Sequence, residues 1–167
     1  MNTSEIQDLI ARTYIEKNHN PVCTNFKGAG YAESDVISIS NSDYVYEFEV
    51  KVSKADFKKD FTKVIKHRYL NETHQKGIHK KYRTKKVNRV PNYFYYVCPF
   101  GLISIDQIPE YAGLIYVENN ILEIIKKAPI LHKERATIKL LKRVSRTLTE
   151  RITYGMALKS YRIKNKK

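Results

Sequence analysis

Apolar side chains at Ile6, Leu9, Ile10 and Tyr14 recur at helical spacing and predict a first helix over about 4–17. Ser4 followed by Gln7 fits a capping box, and Asn18-His19-Asn20-Pro21 ends the helix. Residues 22–26 read as a short strand and Gly28-Ala29-Gly30 as a turn. No helical pattern follows those glycines, so they do not read as a phosphate-cradling loop. Alternation of apolar and polar positions then predicts strands over 35–40 and 44–52, joined by Asn41-Ser42-Asp43 with hairpin chemistry. From about Ser53 the period is helical again. Phe57, Phe61, Val64 and Ile65 form one face, with Lys58, Lys59, Lys63 and Lys66 off it, Ser53 as N-cap and Asp56 at the positive end.

The pattern breaks over 71–91 and resumes as a strand over 93–98, central because it is apolar on both faces. A short helix over 104–108, a hairpin of 113–117 with 121–125 about Asn119-Asn120, and a long basic helix from about 133 complete the chain. In that last helix Ile138, Leu141, Val144 and Leu148 face inward. Neither an internal repeat nor a linker divides the sequence. The order α-β-β-β-α-β-α-β-β-α predicts one mixed α/β domain over 1–167.

Composition sharpens this picture. The chain has 167 residues, enough to bury a core without disulfides or a structural metal. Its formal net charge is +14, which favours a polyanionic partner, because each phosphate contact releases condensed counterions. Thirteen Tyr and six Phe argue for a folded protein rather than a disordered polycation. No stretch approaches the roughly 18 apolar residues of a membrane span. The start Met1-Asn2-Thr3-Ser4-Glu5 lacks the basic and apolar regions of a secretory signal, so a cytoplasmic location is expected. Cys23 and Cys98 stand alone in apolar strand-like contexts and read as small core residues in a reducing compartment.

The strand over 44–52 carries the candidate chemistry. Tyr44, Tyr46, Phe48, Val50 and Val52 point one way, and Val45, Glu47, Glu49 and Lys51 the other. Glu49 and Lys51 are thus neighbours on one face, about 6–7 Å apart along the strand. A three-residue hairpin loop sets Asp35 opposite Glu49 with both carboxylates on that face. A two-residue loop sets Asp35 opposite Phe48 and turns it away. Two close carboxylates that both ionise call for a cation, and oxygen ligands suit Mg²⁺ or Mn²⁺. Such an ion polarises a phosphodiester oxygen and acidifies a bound water, while a lysine beside it stabilises developing charge. The bland alternative is a surface hairpin whose Glu and Lys form an ion pair worth at most about 1 kcal/mol.

At these residues the chain resembles a known family. Glu33-Ser34-Asp35 followed by Glu49-Val50-Lys51 resembles the motif of the PD-(D/E)XK nuclease superfamily, with its restriction-endonuclease-like core. The run Glu47-Phe48-Glu49-Val50-Lys51-Val52-Ser53-Lys54-Ala55-Asp56-Phe57-Lys58-Lys59-Asp60 is similar to the MmcB-like DNA repair branch. So are the segments 92–99, 112–117 and 126–135, and the likeness covers roughly residues 4–148. The resemblance implies a mixed central sheet flanked by helices and a Mg²⁺-dependent nuclease acting on DNA, in repair or processing. Asp35 and Glu49 would bind metal with the Val50 carbonyl, and Lys51 would serve the attacking water. Many members add a carboxylate from the first helix, for which Glu5 is the candidate; the alternative is an acid favoured by the helix dipole. Ser34 stands where the family has proline, and Glu33 reads as an extra ligand or as a solvated acid. The other reading of the chain is a catalytically inactive nucleic-acid-binding module on the same scaffold.

The segment 71–91 is longer than an ordinary connection and is expected to be a basic loop or insertion. Lys76, Lys80, Lys81, Arg83, Lys85, Lys86 and Arg89, with Tyr82 among them, suit phosphate contacts with occasional stacking, or a solvated loop with no specific role. His67, His74 and His79 are spaced too irregularly to share a helical face as metal ligands. The last helix carries Arg135, Lys139, Lys142, Arg143 and Arg146, which either clamp nucleic acid or face solvent.

Overall fold

The computed structural model describes residues 1–27, 33–78 and 90–164. Helix α1, Thr3–Glu16, starts one residue earlier than expected, because Asn2 rather than Ser4 caps it in a reciprocal box with Glu5. Its inward stripe of Ile6, Leu9, Ile10 and Tyr14 is buried as the spacing required. Strands β1 (Val22–Phe26), β2 (Ser34–Ile39) and β3 (Val45–Val50) follow, then helices α2 (Lys54–Asp60) and α3 (Val64–Ile78). Strand β4 (Tyr93–Pro99), a 3-10 turn at Ile105–Gln107, the strands β5 (Gly113–Glu118) and β6 (Ile121–Lys126), and helix α4 (Ile138–Lys164) complete the order.

The six strands form one sheet in sequence order, antiparallel except where β4 runs parallel to both β3 and β5. The chain is therefore a single α/β domain with a six-strand mixed sheet flanked by helices. β4 lies inside the sheet, and its residues from Phe94 to Cys98 are all buried. α1 covers one face, packing on Val36, Phe48, Val50, Tyr95, Val97 and Ile115. α4 covers part of the other face through Leu140, Leu141, Val144 and Leu148 on Ile37, Ile39 and Val45. α2 and α3 help cover the remainder, with Phe57 and Leu70 in the cluster around Phe94 and Tyr96. Cys23 and Cys98 are buried free thiols in separate clusters.

Three segments differ from expectation. The helix expected to run unbroken from Ser53 is two helices, α2 and α3: Thr62 Oγ1 donates to the Lys59 carbonyl at the end of α2, and the chain turns before Val64. Val64 and Ile65 are thereby exposed, at 65% and 63% of their surface, instead of facing the core. The break expected from residue 71 begins later, since α3 continues to Ile78, and the rest of the basic segment up to 89 lies outside the described residues. α4 starts at Ile138, after an irregular stretch from 127, rather than near 133. The glycine turn at 28–30 is likewise outside the described residues. Among the described residues, no helix is long and apolar enough to cross a membrane.

Candidate functional site

The β2–β3 hairpin settles the register on which the candidate chemistry depends. Ser40 N–H donates to the Tyr44 carbonyl (2.9 Å) and Asp43 N–H to the Ser40 carbonyl (2.8 Å), closing a three-residue loop at 41–43. Asp43 takes the left-handed conformation (φ 59°) typical of the last residue of such loops. The pairing Val36 with Phe48 and Ile37 with Glu47 continues to set Asp35 across from Glu49. Ile37 and Ile39 share their sheet face with Val45 under α4, and alternation puts Glu47 and Glu49 on that same face.

Asp35 caps the end of this pairing. Its Oδ2 accepts from the Val50 N–H at 2.7 Å and its Oδ1 from Gln7 Nε2 at 3.3 Å. Gln7 is in turn clasped by Asn25 through paired amide contacts of 3.0 and 3.1 Å. Burial and the neighbouring Glu49 carboxylate push the Asp35 carboxyl above its usual range, against the Val50 N–H and the charges of Lys51 and Lys63. The α1 side chain that reaches this aspartate is therefore Gln7. Glu5, the candidate from the sequence, is exposed and its Oε2 accepts from the Asn2 N–H at 2.8 Å as part of the helix cap.

Glu49 and Lys51 meet as expected, with Lys51 Nζ 3.0 Å from Glu49 Oε1, both side chains only 4% exposed. Around them is a charge network that the spacing of residues did not reveal. Asp60, with no exposed side-chain surface, accepts from Lys51 (3.1 Å), Lys63 (2.9 Å) and Tyr96 Oη (2.9 Å). Lys63 also lies 2.6 Å from Glu49 Oε1, and Lys66 2.8 Å from Glu49 Oε2. Lys66 Nζ also lies 2.7 Å from the buried Glu47 Oε1, an ion pair in which both side chains are almost wholly buried. His67 joins Asp60 (Nε2 to Oδ2, 3.2 Å) to Tyr111 (Nδ1 to Oη, 2.8 Å). Burial opposes ionisation of Asp60, but His67, Lys63 and Lys51 outweigh it and hold the carboxyl well below the usual range. For Lys63 and Lys66 burial disfavours the charge, and the carboxylates of Glu47, Glu49 and Asp60 overcome it and raise both.

The sequence puts Lys63 and Lys66 off the apolar face of a single helix; the turn between α2 and α3 resets the helical phase and brings them, with His67, onto the sheet. The signal was present as a Lys-x-x-Lys-His stripe able to answer the paired acids of Glu47-x-Glu49. Of the basic residues assigned to nucleic acid, Lys76 is half-buried on α3, with its Nζ 3.9 Å from Glu72. Lys80, Lys81, Arg83, Lys85, Lys86 and Arg89 lie outside the described residues, as does His79.

Two opposed carboxylates are hard oxygen donors of the kind Mg²⁺ and Mn²⁺ take, and Mg²⁺ keeps several waters when one or two carboxylates hold it. Among the described residues no group of three or more His, Cys, Asp or Glu side chains is arranged to hold a metal ion. Asp35 and Glu49 thus fit a partly hydrated cation and not an all-protein cage. The ammonium groups on Glu49 compete for the same oxygens. Lys63, whose side chain is 45% exposed, can swing into solvent; Lys66 at 6% and Lys51 at 4% are fixed.

No family model matches the sequence, and no curated protein matches it. The fold is similar to that of the SPO1766 protein of unknown function from Silicibacter pomeroyi, with a TM-score of 0.60 and 16% sequence identity over 86% of this chain and 83% of that one. At that identity the likeness shows the α/β architecture alone.

Proposed function

We propose that the protein is a metal-dependent nuclease that hydrolyses phosphodiester bonds of DNA, in repair or processing. The observation that carries this reading is the register: Asp35 and Glu49 face one another from adjacent strands, with Lys51 Nζ 3.0 Å from Glu49. The resemblance of Glu33-Ser34-Asp35 and Glu49-Val50-Lys51 to the PD-(D/E)XK motif supports it. Asp35 and Glu49, with the Val50 carbonyl, would hold Mg²⁺ or Mn²⁺, which when bound polarises a phosphodiester oxygen and acidifies water. Asp60 and Glu49 fix the Lys51 ammonium, which would then serve the attacking water and the charge developing on the phosphoryl oxygens with little reorganisation. The buried free thiols of Cys23 and Cys98 suit action in the cytoplasm.

Incubation of labelled duplex with Mg²⁺ or Mn²⁺ tests the reading. Wild type should cleave, and Asp35→Asn and Lys51→Ala should each lose about 10²-fold or more in rate. Cleavage that survives both substitutions sinks it. A second reading, a non-catalytic nucleic-acid-binding module, is favoured by the three lysines that already neutralise Glu49. It requires salt-sensitive DNA binding with no cleavage under any divalent metal.

A further inference from the structure

The described basic surface with the least internal compensation lies on α4, away from the carboxylates. Lys139, Lys142, Arg143 and Arg146 recur at the spacing of a single helical stripe and, with Lys27 beyond the end of β1, line a cleft of about 570 Å³. Arg146 is tied to Glu150 at 2.7 Å and Lys27 to Glu33 at 3.1 Å. Among the described residues, no carboxylate pairs with Lys139, Lys142 or Arg143. Unpaired cations in a concave site focus the field and draw in a polyanion.

The form of that polyanion follows from what surrounds the stripe. Among the described residues, no aromatic side chain lines the cleft, so they offer nothing on which single-stranded bases could stack. The apolar stripe of the same helix, Leu140, Leu141, Val144 and Leu148, is already committed to the sheet and cannot insert into a lipid surface. The stripe rises about 10 Å, which matches about three successive phosphates of one strand of a duplex. α4 also lies over the sheet face that carries Glu47 and Glu49.

We propose that the cleft between α4 and Lys27 seats the phosphate backbone of duplex DNA, without reading its sequence. The partner class rests on the nucleic-acid reading above, while the site itself is independent of catalysis. Fluorescence anisotropy in EDTA, with two unrelated duplexes and the single strand of one of them, tests it at 50–200 mM salt. The duplexes should bind alike and more tightly than the single strand. Lys139→Ala/Lys142→Ala should lower the steepness of log K against log salt by about 2, so the variant loses about tenfold less affinity than wild type across that window. Lys142→Arg should behave as wild type, and Lys58→Ala/Lys59→Ala on the exposed face of α2 should leave the slope unchanged. An unchanged slope in the α4 variant, equal losses in the α2 variant, preference for the single strand, or loss of binding to phosphatidylserine vesicles in place of duplex would overturn the proposal. Binding in EDTA with no cleavage of the same duplex when Mg²⁺ or Mn²⁺ is supplied refutes the nuclease reading and leaves this site standing; cleavage under those metals with an unaltered slope in EDTA does the reverse.

Discussion

Asp35 and Asp60 are two aspartates in one charge network with opposite relations to folding. Asp60 is held below the usual carboxyl range, so its contribution is present above the unfolded pKa near 3.9 and fades as pH falls toward the folded value. Asp35 is held above that range, so its ionisation opposes folding above the folded pKa and is relieved as pH falls through it. Asp60→Asn removes the shared partner of Lys51, Lys63 and His67 and is expected to cost about 3–5 kcal/mol at neutral pH. Asp35→Asn keeps an acceptor for the Val50 N–H while deleting the unfavourable charge, and should raise the stability of the metal-free protein at pH 7. Its gain should shrink as pH is lowered from 7 toward 4. Urea unfolding of both variants across that range measures the contrast; equal signs at pH 7 would show that the two side chains do not differ in this way.

At the scale of elements, the hairpin loop decides which face the acids occupy. Deleting Ser42 leaves two residues between the strands, and a one-residue slip would drive Glu47 and Glu49 into the cluster beneath α1. That change should abolish cooperative unfolding or cost more than about 4 kcal/mol. Asp43→Gly, which suits the φ of 59°, should stay within a few tenths of wild type. Denaturant melts of the two variants distinguish loop length from loop composition. The same logic explains what could be read from the sequence. Period-two alternation made Glu49 and Lys51 neighbours without any structure, and the apolar run of 93–98 marked the interior strand, now β4. Asn119 and Asn120, both left-handed at φ 50° and 61°, marked the second hairpin. The helical phase past Asp60 was not legible, because Phe57, Phe61, Val64 and Ile65 keep an apolar spacing straight through the turn that separates α2 from α3. A charged stripe facing inward obeys no hydrophobic period. Lys63 and Lys66 therefore carried a pairing signal that Glu49, on a strand 14 or more residues away, was needed to disclose.

For the whole molecule, the +14 charge is distributed unevenly. Glu47, Glu49 and Asp60 are buried against Lys51, Lys63 and Lys66, which removes those acids from the exterior; among the described residues, Lys139, Lys142 and Arg143 of α4 have no carboxylate partner. Ion pairs inside the protein are little affected by salt, whereas exposed charges more than about 8–10 Å apart are largely screened at physiological ionic strength. The salt dependence of stability therefore reports the self-repulsion of the surface, and the melting temperature should rise as NaCl increases from 20 to 300 mM. The stripe proposed to hold DNA should be one source of that repulsion. Lys139→Ala/Lys142→Ala, on two exposed positions where alanine also favours the helix, should then melt about 2–4 °C above wild type at low salt, with the difference shrinking at high salt. A duplex added in EDTA at low salt should close the gap from the other side, raising wild type more than the variant, since a ligand of the folded state at free concentration L stabilises it by RT ln(1 + L/Kd) and so by more where the Kd is lower. A variant that melts lower than wild type without DNA would mean that these lysines support the fold rather than tax it, and the surface would then have no stability cost for a binding role to explain.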